Sequence, residues 1–72
     1  MKSLLDAQTG TLNEVKNVKG EDIIVQRLNE IGVIKGASVV VISKIFFGDP
    51  YMVKIDGSVF ALRKEEVQCI WI

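Results

Sequence analysis

Tyr51-Met52-Val53-Lys54-Ile55-Asp56-Gly57-Ser58-Val59-Phe60-Ala61-Leu62 is the stretch that decides how this chain folds. Asp-Gly between two apolar runs is the strongest short signal for a β-hairpin, because a type I′ turn needs φ > 0 at both central positions. A two-residue loop at Asp56-Gly57 pairs Ile55 with Ser58, Val53 with Phe60 and Tyr51 with Leu62. That register gathers Tyr51, Val53, Ile55, Phe60 and Leu62 on one apolar face and leaves Met52, Lys54, Val59 and Ala61 on the other. A slip by one residue would turn the core set to solvent, so turn chemistry and side-chain pattern specify the same pairing.

Short apolar segments punctuated by glycine extend this pattern in both directions. Upstream, Ala37 to Ile45 reads as a strand. Its Val39-Val40-Val41-Ile42 run of four β-branched residues predicts burial on both faces. Thr11 to Val18 reads as a further strand, after a turn at Thr9-Gly10. Between them, Ile24, Leu28 and Ile31 fall on one face of a helix over Ile23 to Ile31. Glu21 and Asp22 would complement the dipole of its first turn, and Gly32 would close it. The β-branched Ile23-Ile24-Val25 makes a strand over Asp22–Gln26 the competing reading; the face spacing and the flanking glycines favour the helix. Downstream, Arg63-Lys64-Glu65-Glu66 is too charged for a core and reads as a solvated helical or 3₁₀ turn. Val67 to Ile72 reads as the last strand. The sum is a single domain over residues 1–72, mainly β, with about five strands and one short inserted helix. A small SH3-like β-barrel is the architecture that lets so few residues enclose a core.

Composition narrows the function. Of 72 residues, 49% are hydrophobic and 25% charged, which is incompatible with intrinsic disorder. Nine basic residues balance nine acidic ones. Binding through nucleic-acid phosphates calls for a basic surplus, and the weak groups Lys2, Lys16, Lys19 and Arg63-Lys64 do not supply one, so no nucleic-acid partner is expected. Histidine is absent, which excludes a His-based triad or metal site, and no nucleophile stands beside a plausible base, so the chain is not expected to be an enzyme. Asp49, Asp56, Glu65 and Glu66 lack the spacing of a metal-binding loop. The single cysteine, Cys69, reads as a buried, inert thiol. Apolar runs reach about four residues, far short of a signal peptide or a membrane span, so a cytoplasmic protein without membrane insertion is expected.

One segment stands out as a candidate contact site: Phe46-Phe47-Gly48-Asp49-Pro50, joining two strands. Adjacent strand residues point to opposite faces, so Phe46 and Phe47 cannot both enter the core if the strand continues through them. One aromatic is then free to anchor a partner, on a loop whose freedom Gly48 and Pro50 limit.

Arg27-Leu28-Asn29-Glu30-Ile31-Gly32-Val33, followed by Gly36 and the Val39–Val41 strand, resembles the core of the ferrous iron transport protein A (FeoA) family. Leu4-Leu5-Asp6 and Thr9-Gly10 resemble that family's opening, Gly48-Asp49-Pro50 its turn, and Ala61-Leu62-Arg63-Lys64-Glu65-Glu66-Val67 with Ile70 and Ile72 its ending. Lys35, Val67 and the Phe46-Phe47 pair depart from the pattern, which bears on turn stiffness and loop chemistry more than on the core. The resemblance implies an SH3-like barrel with an inserted helix. It also implies a small cytoplasmic accessory that contacts the cytosolic face of a FeoB-type GTPase transporter. A metal-responsive regulatory module is the alternative, with weak Fe(II) or other transition-metal binding and no ligand set evident in these residues; an RNA-binding small barrel ranks below it.

Overall fold

The computed structural model describes residues 1–45, 47 and 49–72. The hairpin forms as its sequence requires. Strand β4 (Tyr51–Ile55) pairs antiparallel with β5 (Ser58–Leu62), with Ile55 opposite Ser58, Val53 opposite Phe60 and Tyr51 opposite Leu62. Asp56 and Gly57 both have positive φ, 45° and 93°, the pair of values that matches a type I′ turn to the strand twist. Asp56 also ties the turn to the next strand: its carboxylate accepts from the Ser38 N–H at 2.9 Å, and its own N–H donates to the Ser38 carbonyl at 3.0 Å.

That next strand is β3 (Ser38–Lys44), which pairs with β4 on one side and with β1 (Leu12–Glu14) on the other. Val39 and Val41 are fully buried, whereas Ile42 is 40% exposed and Val40 half-buried. The expected burial on both faces is therefore corrected to one. Among the described residues the outer face of this four-stranded sheet carries no second layer, and a bulge between Val41 and Ser43 displaces Ile42 from the ladder.

The segment expected as one strand over Thr11–Val18 is two. It leaves the first sheet after β1, crosses at the fully buried Val15, and enters a second sheet as β2 (Asn17–Val18), paired with β6 (Ile70–Trp71). Val15 is held at the crossing by its N–H to the Ala37 carbonyl and its carbonyl to the Gly36 N–H, at 2.9 and 2.8 Å. A chain that changes sheets in this way makes the corner of an SH3-like fold. The described residues thus form six strands in two sheets that do not close into a continuous barrel. A 3₁₀ turn at Leu4–Asp6, capped by the Ser3 hydroxyl, buries Leu4, and Lys2 and Ile72 exchange backbone hydrogen bonds at 3.0 and 2.8 Å.

The helix reading prevails over the competing strand: α1 spans Asp22–Glu30. Its end explains why local β-branching loses. Gly32, at φ 100°, donates to the Asn29 carbonyl, while Val33 donates to the Leu28 carbonyl at 2.8 Å. This is a Schellman motif, and the two residues it brings together, Leu28 and Val33, are both fully buried. Ile23, the residue a strand would have buried, is 75% exposed. The expected last strand over Val67–Ile72 is also shorter, because Lys64–Val67 forms a helical turn, α2, before β6. The core that results joins Val39, Val41 and Val53 of the first sheet to Leu4, Leu28, Val67 and Ile70.

Candidate interaction site

The loop between β3 and β4 is anchored from its C-terminal end. Asp49 accepts a hydrogen bond from the Lys64 backbone N–H at 3.1 Å, and its other oxygen lies 3.6 Å from the Arg63 guanidinium. The Ile45 N–H donates to the Pro50 carbonyl at 3.0 Å, and the Asp49-Pro50 peptide bond is cis. Between these ties Phe47 takes a positive φ of 58° and projects its ring wholly into solvent. Phe46 and Gly48 lie outside the described residues. Lys44 stands over the Tyr51 ring, 5.4 Å from its centroid, and Tyr51 itself is buried. The result is an exposed aromatic on a loop whose Asp49 is engaged by Lys64 and Arg63 rather than facing outward.

Glu66 is the residue whose role the sequence pattern conceals. Expected on a solvated turn, it is buried, and the correction has a physical cause. Its Oε1 accepts from the Arg63 N–H at 2.8 Å, returning to the start of α2 as in a capping box, and its Oε2 meets Arg27 Nε of α1 at 3.0 Å. A charge is tolerated there because both oxygens are occupied. Arg63 is not the Ser or Thr with which a capping box begins, so the sequence carried only the Glu half of that signal.

A shallow depression of about 440 Å³ lies beside the second sheet, lined by Leu5, Lys19, Gly20, Cys69 and Trp71 among others. Cys69 is buried beneath it, its thiol directed at the Glu65 carbonyl at 3.2 Å. Burial pushes this thiol above its ordinary range, and the carboxylates of Glu21 and Glu66 push it further. Gly20 permits the close approach: a Cβ there would sit 2.5 Å from Cys69 Sγ. Among the described residues, no three of Cys, Asp and Glu come together to hold a metal ion. Cys69 has no second thiolate beside it, and both oxygens of Glu66 are engaged by Arg27 and the Arg63 N–H, so these residues do not fit a metal ion. No helix among the described residues is long and apolar enough to cross a membrane.

Comparison with known proteins places this geometry. The FeoA domain model matches residues 2–72. No curated protein matches the chain. A FeoA protein from Chlorobium tepidum is 29% identical, with a TM-score of 0.87, covering 96% of this chain and 66% of that one. FeoA from Stenotrophomonas maltophilia, described as a prokaryotic SH3 domain protein and solved in complex with zinc, is 29% identical with a TM-score of 0.84, covering 99% and 88%. A manganese-dependent transcriptional repressor shares the fold at 19% identity and a TM-score of 0.87, this chain covering 40% of its length. With an SH3-like fold and a family match from Lys2 to the last residue, the chain belongs to the FeoA domain family, a family associated with ferrous iron transport.

Proposed function

We propose that this chain is a non-enzymatic cytoplasmic accessory of ferrous iron uptake, acting by contact with the cytosolic face of a FeoB-type transporter through the Phe46–Pro50 loop. The observation that carries the reading is Phe47: a large aromatic fully in solvent, on a loop pinned by Asp49 to Lys64 and Arg63. Exposing an aromatic costs hydration free energy in the isolated protein, and a partner pocket recovers it. The Stenotrophomonas relative, described as a candidate activating factor of bacterial ferrous iron transport, supports a role of this class.

The test is binding of this protein to the intact transporter in lipid nanodiscs, with GTP hydrolysis followed alongside. Phe47→Ala is expected to weaken binding by about 1–2 kcal/mol while leaving the thermal midpoint unchanged. Equal binding of the variant and the wild type would show that the loop is not the contact. The zinc complex of the Stenotrophomonas protein favours a second reading, a metal-responsive module. Titration with Zn(II) or Fe(II), followed by amide shifts, tests it: saturable shifts would support that reading and unchanged spectra would remove it.

A further inference from the structure

Among the described residues, two other than glycine take positive φ, Asp56 at 45° and Phe47 at 58°. Asp56 is accounted for by the type I′ turn, where a short side chain that accepts from the Ser38 N–H suits the left-handed region. Phe47 has no such account. A bulky aromatic is rarely left-handed, and the conformation persists only where its surroundings impose it. Packing of the ring does not impose it, because the ring is wholly in solvent. The hold on Phe47 therefore comes from the backbone on either side. The bond from the Ile45 N–H to the Pro50 carbonyl closes the base of the loop, but it joins one loop end to the other. Among the described residues, Asp49 supplies the tie to the rest of the fold: its Oδ1 accepts from the Lys64 N–H at 3.1 Å, and its Oδ2 lies 3.6 Å from Arg63 Nη1. The two contacts are unequal. The Lys64 N–H is a backbone donor at the first residue of α2, whose start is itself fixed by Glu66 accepting from the Arg63 N–H. A charge-assisted bond of this kind is about twice as strong as a neutral one. The Arg63 side chain is 73% exposed and stands beyond hydrogen-bond distance, so it adds little.

We infer that Asp49 is the positioning residue of the contact site and acts through the Lys64 N–H: this bond from a loop carboxylate to the first residue of α2 holds Phe47 left-handed and so directs its ring into solvent. The inference rests on the reading of Phe47 as the partner contact, and adds how that contact is set. Without the tie the Phe47 backbone relaxes to negative φ, and its Cα–Cβ bond swings away from the direction it now takes. The binding geometry is then one state among several, and the apparent affinity falls by the fraction of molecules that hold it. With the tie in place the loop is ordered before a partner arrives. Asp49 thus contributes to binding without touching the partner, both of its oxygens being turned to Arg63 and Lys64.

Proton NMR of the intact chain reads the Phe47 backbone directly. The amide and α protons of a residue are eclipsed at the φ seen here, so a strong intraresidue cross-peak between them marks the left-handed state, and the wild type is expected to show it. Asp49→Ala should lose it. So should Lys64→Pro, which removes the donor at a position where proline suits a helix start and where Arg63, at ψ 155°, is already extended. Lys64→Ala keeps the N–H and Asp49→Asn keeps an acceptor, so both should retain the cross-peak. A role for Asp49 in stability alone would lower the thermal midpoint and leave this signal unchanged. Binding to the intact transporter in lipid nanodiscs should weaken about three- to tenfold in Asp49→Ala and Lys64→Pro, and stay near the wild type in Lys64→Ala and Asp49→Asn. Persistence of the cross-peak in a folded Asp49→Ala or Lys64→Pro would overturn the inference. So would its loss in Lys64→Ala or Asp49→Asn, which would assign the hold to a charge. Wild-type binding by a variant that has lost the cross-peak, with Phe47→Ala still weak, would overturn the positioning role and leave the contact standing. Wild-type binding by Phe47→Ala would instead remove the contact and with it the role in binding, while the cross-peaks still decide what holds the Phe47 backbone. Should Asp49→Ala fail to fold, Lys64→Pro and Asp49→Asn decide the question.

Discussion

Replacing Glu66 by Ala tests whether the stability this buried carboxylate supplies comes from capping α2 or from its ion pair to α1. The substitution removes the acceptor of the Arg63 N–H, a bond of 2.8 Å to a buried carboxylate. Hydrogen bonds to charged groups contribute about 1.5–3 kcal/mol. It also removes the partner of Arg27, but that side chain is 55% exposed, so solvent replaces most of what is lost and the pair adds only about 0.2–1 kcal/mol. The sum is a destabilisation of about 2–4 kcal/mol, against a total stability on the order of 4–10 kcal/mol for a domain of this length. For small domains each kcal/mol moves the thermal midpoint by about 4–8 °C, so a fall of roughly 10–30 °C is expected in thermal unfolding followed by far-ultraviolet circular dichroism. Urea unfolding supplies the free energy directly. Glu66→Gln keeps an acceptor for Arg63 and should recover about half of the loss, while Arg27→Ala should cost no more than about 1 kcal/mol. If Arg27→Ala proves as damaging as Glu66→Ala, or if Glu66→Ala melts within a few degrees of the wild type, the capping hydrogen bond is not the main contribution of Glu66.

Three further outcomes are expected. Leu28, fully buried and joined to Val33 through the Schellman motif, should cost about 2–5 kcal/mol when changed to Ala, read by urea unfolding; a midpoint near that of the wild type would mean that α1 does not dock through it. Gly20→Ala drives a methyl group into Cys69 Sγ and should destabilise by about 1–3 kcal/mol, and the loss should shrink in the Cys69→Ala background, a coupling that a double-mutant cycle measures. Because burial, then the carboxylates of Glu21 and Glu66, hold the Cys69 thiol above the ordinary thiol range, the folded state retains its proton where the unfolded state releases it. Stability from this group is therefore complete below about pH 9 and is lost as pH rises beyond it, and unfolding free energies from pH 8 to 11 should fall less steeply in Cys69→Ala than in the wild type.

Local chemistry was sufficient for the hairpin, the helix and their ends. Asp56-Gly57 has one good solution between two alternating runs, and the observed register is the one the alternation requires. The helical spacing of Ile24, Leu28 and Ile31, closed by a glycine, outweighed three β-branched residues because burial of Leu28 contributes more than helix propensity costs. The family was readable too, from motifs spread along the whole chain. The segment Thr11–Val18 offered no such information, since nothing in its own residues says that Val15 is the point at which the chain changes sheets; that depends on Ala37 and Gly36 presenting backbone partners there. The Val39–Ile42 run has the same composition whether one face is covered or two, and only the tertiary structure, which leaves Ile42 exposed, distinguishes them. Glu66 resembles its neighbour Glu65 in sequence. It is buried because α1 brings Arg27 to one of its oxygens while α2 turns the Arg63 N–H to the other. Phe47 could be marked as unable to share the core with Phe46, but its full exposure follows from Asp49 reaching Lys64 and Arg63, residues distant in the chain that only the folded sheet brings beside it. Periodicity and turn chemistry act over a few residues and are written there; which faces are covered and which charges find partners depends on elements the chain sets side by side only once it has folded.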